Sequence, residues 1–200
     1  MRPRLTGACL ALFLLLTGAA SATVLVPADL DELAREATAI VHGRVVSVQG
    51  VWTAGRRSIE TVVTLEVSTA LKGQPGREVS LRVPGGELGR YRSVMVGAPV
   101  FREGQEVIVF IAGAAPALPH LLGLGQGVYR VRRDLRSGVA LVMPPPATAD
   151  AVRAGRVQRG DPARQLVTLD EFSRQVQSAI GSTLERGRAV RRPVPGKGAR

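Results

Sequence analysis

From Ile59 to Thr69 the chain reads Ile-Glu-Thr-Val-Val-Thr-Leu-Glu-Val-Ser-Thr, and within it Val63, Leu65 and Val67 alternate with Thr64, Glu66 and Ser68. Successive side chains of a strand point to opposite faces, so this period of two specifies a strand buried on one side. The pattern stops at Leu71-Lys72-Gly73, and Gln74-Pro75-Gly76 supplies a turn. Residues 77 to 83 then alternate again, with Val79, Leu81 and Val83 apolar against Ser80 and Arg82, until Pro84-Gly85-Gly86 ends the run. Neither run can bury its apolar face alone, so the chain must build a sheet.

The remaining segments supply its other strands. Residues 40 to 48, Ile-Val-His-Gly-Arg-Val-Val-Ser-Val, are too rich in β-branched side chains for a helix of that length, and Gly43 among them predicts a bulge or a close backbone approach. Val107 to Ile111 is a continuous apolar run, which predicts a strand buried on both faces. Gly127 to Arg132 and Val139 to Met143 follow, joined by a hairpin turn over 133 to 138. A short helix precedes them all: Asp29 is a cap with Glu32 three residues on, and Leu30, Leu33, Ala34 and Ala37 share one face. Six or seven short strands separated by Gly and Pro turns predict a single antiparallel barrel or sandwich. The glycine-rich stretch from Gly85 to Ala98 has little apolar periodicity and is predicted as a long loop or an irregular hairpin. Segments of that length in a compact domain are often functional, which makes Gly85, Gly86, Arg90, Tyr91 and Arg92 a candidate contact loop.

Both ends of the chain read differently from this middle. Arg2 and Arg4 precede an apolar run from Ala8 to Leu16, and Ala20-Ser21-Ala22 has the small-x-small form of a signal-peptidase site. Residues 1 to 22 are therefore expected to be a signal peptide, with cleavage after Ala22 leaving Thr23 first. The alternative, a lipoprotein signal acylated at Cys9, needs its apolar run before the cysteine, and most of it follows. Cys9 is the sole cysteine. The mature chain would thus carry no disulfide and no thiolate zinc site, and its 45% hydrophobic content must supply the core. Beyond Pro144-Pro145-Pro146 the composition shifts to Ala, Arg, Gly and Gln, so residues 147 to 200 are expected to be a basic linker and tail. Residues 151 to 200 carry 11 basic groups against 4 acidic, within a formal net charge of +11 for the whole chain. Arginine-rich and poor in lysine, this tail is expected to make weak electrostatic contact with anionic surfaces, while bias of a GC-rich bacterial gene is an alternative origin. With 4% aromatic residues, none interleaved with the basic ones, it offers no stacking surface for specific nucleic-acid binding. Thr168 and Glu171 form a capping box, and Leu169, Phe172, Val176 and Ile180 recur at helical spacing. A docking helix is predicted over 168 to 180, ended by Gly181, with disorder from Arg186.

Chemistry is harder to find. No Gly-x-Ser-x-Gly elbow occurs, and the two histidines, His42 in a strand and His120 in a loop, lack any His-x-x-x-His or carboxylate cluster that would hold a metal. The acidic groups at 29 to 32 and 170 to 171 lie at helix starts, where capping explains them, and Glu103 and Glu106 flank a turn, where they are expected to be solvated. The glycine sets at 84 to 89 and 123 to 127 lack the lysine and the strand-to-helix context of a phosphate loop. The expectation is a protein that is not an enzyme, with no cofactor and no metal site.

In order along the chain, ATAIVHGRVVSV, TVVTLEVSTALKG, EVSLRV and FREGQEVIVFI resemble the netrin-like domains and the tissue inhibitors of metalloproteinases. The same layout resembles uncharacterised secreted bacterial proteins of this size. The resemblance spans roughly residues 28 to 112 and implies an OB-type barrel and, as partner, an extracellular metalloprotease. The inhibitors bind the protease zinc through an N-terminal cysteine, whereas here Thr23 would stand first. The fold expected is mainly β: a small antiparallel OB-like barrel over residues 23 to 146, with a short N-terminal helix and a C-terminal amphipathic helix in a basic tail. The function expected is an exported, periplasmic or secreted, binding module for a protein or an envelope polymer. An inhibitor-like partner protein and an envelope enzyme are the alternatives.

Overall fold

The computed structural model describes residues 29 to 113, 116 to 146 and 165 to 190. The cleavage site at Ala20, Ala22 and Thr23 lies outside them, as do most of the linker and residues 191 to 200.

The protein is mainly β. Helix α1 (Leu30–Glu36) leads into β1 (Ala39–Trp52), and β2 (Ile59–Lys72), β3 (Glu78–Pro84), β4 (Gly86–Leu88) and β5 (Tyr91–Ser93) follow. Then come β6 (Glu106–Ala112), β7 (His120–Leu121), β8 (Val128–Arg133), β9 (Ala140–Met143), β10 (Val167–Thr168) and helix α2 (Leu169–Val190). Eight strands form one sheet in the order β1-β2-β3-β7-β6-β8-β9-β10, and β4 with β5 forms a separate hairpin. β1 also pairs with β6, so the path β1-β2-β3-β7-β6 returns to β1. Every pairing is antiparallel except the short contact of β3 with β7 through Arg82 and His120.

β1 belongs to two pairings at once because it bends. Its register against β2 shifts between Ile40 and Val41, between His42 and Gly43, and between Val45 and Ser47. A Cβ at Gly43 would stand 2.3 Å from the Glu66 carbonyl oxygen, so glycine alone fits where the strand turns from β2 toward β6. The close approach read from the sequence at this position is present.

Two apolar clusters hold the molecule, and β6 is the wall between them. Val107, Val109 and Ile111 join Val41, Val45, Val63, Leu65, Leu81 and Val83 in a cluster between the strands. Ile108 and Phe110, on the opposite face, join Ile40, Tyr129 and Val142 beneath the two helices. That double burial accounts for the unbroken apolar run of β6, whose residues 107 to 111 are all at most 1% exposed. Each such side chain contributes roughly 1.5 to 3 kcal/mol by leaving water.

The helices are fixed at their ends and along one face. Asp29 Oδ1 accepts the Glu32 N–H at 2.7 Å, and Lys72 Nζ donates to the Ala34 and Arg35 carbonyls at 2.8 and 3.1 Å. Both contacts satisfy groups that a short helix leaves without partners. On α2, Thr168 Oγ1 accepts the Glu171 N–H at 3.2 Å; Phe172 and Val176 are buried under the sheet, and Leu169 and Ile180 pack at the margin. Gln177 adds a hydrogen bond to the Leu71 carbonyl at 2.7 Å.

The second half of the chain departs from the sequence reading in three ways. β10, which pairs Val167 with Val142 and Thr168 with Leu141, was not foreseen, so the chain re-enters the sheet just ahead of the helix that docks. α2 does not stop at Gly181 but runs through it to Val190. A glycine inside a helix costs only about 1 kcal/mol relative to alanine, less than the packing upstream provides. The disorder expected from Arg186 is accordingly replaced by helix as far as Val190.

Candidate functional site

The segment from Gly85 to Ala98 is an irregular hairpin followed by an exposed loop. β4 pairs Gly86 with Ser93 and Leu88 with Tyr91 around a turn at Gly89, whose φ of +58° suits glycine. The hairpin lies across the far end of β1, where a Cβ at Gly50 would be 1.9 Å from the Glu87 carbonyl oxygen. Trp52 meets Tyr91 edge to face at 5.4 Å, and Thr61 Oγ1 donates to the Gly85 carbonyl at 2.7 Å. These contacts hold the hairpin against the sheet.

Between hairpin and sheet runs a groove of about 450 Å³, lined among others by Val48, Val83, Gly85, Arg92, Met95 and Phe101. Of the five residues selected from the sequence, Gly85, Gly86 and Arg92 line it. Arg90 does not, since its guanidinium stacks 5.1 Å from the Tyr91 ring centroid and donates to the Tyr91 hydroxyl. Arg92 pairs with Glu87 at 3.3 Å, with both side chains exposed, which contributes little to stability.

The apolar residues beside the groove escaped sequence reasoning. Val94 is 72% exposed, Val96 87% and Val100 70%, with Met95 at 48%. The loop that carries them is nonetheless anchored: Ala98 N–H donates to the Met95 carbonyl and Gly125 N–H to that of Gly97, at 3.1 and 2.9 Å. The sequence places this Val-Met-Val run in a loop or irregular hairpin without singling it out, and the fold shows it turned outward.

The histidines are placed apart in character. His42 is buried, and its Nε2 lies 2.9 Å from Glu106 Oε1, to which Arg133 also approaches at 3.8 Å. Glu106 is therefore not the solvated turn residue expected from its position, because its side chain is only 14% exposed. The register explains this: His42 pairs with Ile108 and Arg44 with Glu106, so His42 and Glu106 are diagonal neighbours on one face. His120 lies not in a loop but in β7, and it is exposed. Among the described residues, no group of three or more His, Cys, Asp or Glu side chains comes together. No buried side-chain nitrogen or oxygen among them lacks a hydrogen-bond partner. Burial lowers the pKa of Lys72. No helix among the described residues is long and apolar enough to cross a membrane.

No family model matches the chain, and neither a curated protein nor a solved structure matches it significantly.

Proposed function

We propose that the chain is an exported, non-catalytic binding module of the bacterial envelope, built on an OB-like barrel, with the segment from Gly85 to Ala98 as its contact region. The OB-like reading is supported by the circuit β1-β2-β3-β7-β6-β1 with its single parallel step. The binding reading rests on one observation: Val94, Met95, Val96 and Val100 stand exposed together beside the groove while the backbone beneath them is hydrogen-bonded in place. Clustered apolar side chains in water favour association, and a loop already ordered loses little entropy on binding. The partner that suits them is a protein surface offering apolar side chains to the groove.

Site-specific photocrosslinking in cells tests this. A photoreactive residue at Val96 is expected to give a discrete adduct with one protein, and the same residue at fully exposed Leu135 none. The same diffuse adducts from both positions would overturn the contact role. Mass analysis of the recovered protein tests export separately. A chain beginning at Thr23 supports it, and a retained Met1 excludes it.

A further inference from the structure

At the other end of β1, the opening of β6 and the length of β8 frame a cleft of about 380 Å³ lined by Arg44, Arg130, Arg132 and Arg133, with Glu106 as its one carboxylate. We infer that this cleft binds a phosphate- or sulfate-class oxyanion. The folded region as a whole is close to charge balance, so four arginines lining one small cleft are a local concentration of basic residues that sequence composition hides.

Glu106 can offset only one of the four, and the one it approaches is Arg133, at 3.8 Å. Arg44 and Arg130 are positioned by neutral acceptors, the Gly104 carbonyl at 3.3 Å and the Val100 carbonyl at 3.1 Å, which orient a guanidinium without cancelling its charge. Arg132 is exposed and has no acidic partner among the described residues. Like charges on neighbouring side chains repel, and an anion among them relieves the repulsion. The planar guanidinium fork matches a tetrahedral oxyanion through paired N–H donors, which a lysine cannot reproduce. The same group is carried by a free ion or by an ester on a lipid headgroup.

The two sources are separated by two probes on the full mature chain. Pyrophosphate is titrated while backbone amide shifts are followed. In parallel, the protein is sedimented with vesicles of phosphatidylglycerol and phosphatidylcholine, with phosphatidylcholine alone as reference. The amides of residues 104 to 106 and 130 to 133 are expected to shift with pyrophosphate. The double variant Arg44→Gln/Arg132→Gln is expected to weaken that binding about a hundredfold, roughly tenfold for each guanidinium–oxyanion hydrogen bond removed. Arg77→Gln, in the turn between β2 and β3, should leave it unchanged. Both arginines of the double variant are exposed, so the fold should survive, and an unchanged thermal midpoint checks that. Sedimentation that the double variant abolishes assigns the headgroup as source, whereas cleft shifts without sedimentation assign the free ion. Shifts confined to residues outside the cleft, no shift at all, or pyrophosphate binding that the double variant retains would overturn the inference.

Discussion

The cluster between the strands and the cluster beneath the helices share β6 yet are built from different materials. The inner one is almost wholly Val, Leu and Ile, with Phe101 as its only ring. The outer one is organised around rings: Phe110 lies 5.7 Å from Tyr129, and Tyr129 lies 4.6 Å from Phe172. Between paired strands the space is filled by branched aliphatic side chains. Between sheet and helices, rings bring a large apolar area to the contact. The inner cluster is completed by residues from 41 to 128, whereas the outer one needs a helix that returns only after the linker. One is assembled by sheet pairing, the other by docking.

If that distinction holds, substitutions in the two clusters should lower stability in different ways. Phe172→Ala removes the ring that bridges α2 to Tyr129, and a cost of about 3 to 5 kcal/mol is expected in urea unfolding. Hydrogen exchange should then accelerate in α1, α2 and β10 while the amides of β2 and β3 keep most of their protection. Leu65→Ala, within the same range of cost, should instead accelerate exchange throughout. Identical exchange profiles for the two variants would show a single cooperative core and break the comparison.

The docked helix also limits what a truncation can test. Ending the chain at Met143 to remove the arginine-rich segment would take Phe172, Val176 and Ala179 with it and expose Ile40, Phe110 and Tyr129 to water. A chain ending at Val190 removes only residues beyond the docked helix.

At the border of the outer cluster, His42 and Glu106 form a buried polar contact. His42→Ala leaves the Glu106 carboxylate without its closest partner, and a loss of about 1 to 3 kcal/mol is expected. His42→Gln, which keeps a donor, should recover part of it. If both variants cost the same, side-chain volume rather than the hydrogen bond accounts for the loss.

How much of this was legible depended on whether a residue's environment is set by its own neighbours in sequence. The alternation of β2 and the unbroken run of β6 record burial on one face and on two, and both strands lie where that pattern puts them. Gly43 was legible because only glycine tolerates the approach it makes. β7 and β10 were not, being two residues each and defined wholly by their partners, Arg82, Ile111 and Ala112 for one and Val142 with Leu141 for the other. The Glu106–His42 contact depends on cross-strand register, which no local pattern encodes. The groove beside the β4–β5 hairpin was visible as a glycine-rich interruption. Its apolar lip at Val94 to Val96 was not, since an apolar run is the commonest signature of the interior. The arginines of the cleft were scattered over residues 44 to 133 and came together only by pairing.

The smallest expected effect concerns a turn that neither cluster supports. Asp134 Oδ1 accepts the Arg136 N–H at 3.0 Å, the Ser137 N–H at 2.8 Å and the Ser137 hydroxyl at 2.9 Å, closing the hairpin between β8 and β9. The Ser137 backbone and side chain, followed by the Arg136 backbone, favour the ionised form and lower the carboxyl pKa. A group whose pKa is depressed on folding stabilises the protein above its unfolded value of about 3.9, and that contribution disappears as pH falls through the lower, folded value. Wild type should therefore be more stable than Asp134→Ala at neutral pH. The gap should narrow steadily below about pH 5 as protons bind the unfolded chain first. Because the side chain is open to solvent, the gap should be small beside that of Phe172→Ala. If the turn is independent of the docked helix, the gap should be the same in the Phe172→Ala background. A gap that widens in acid would mean that the carboxylate is repelled rather than held in the folded turn, and a gap that differs between the two backgrounds would couple the hairpin to the docked helix.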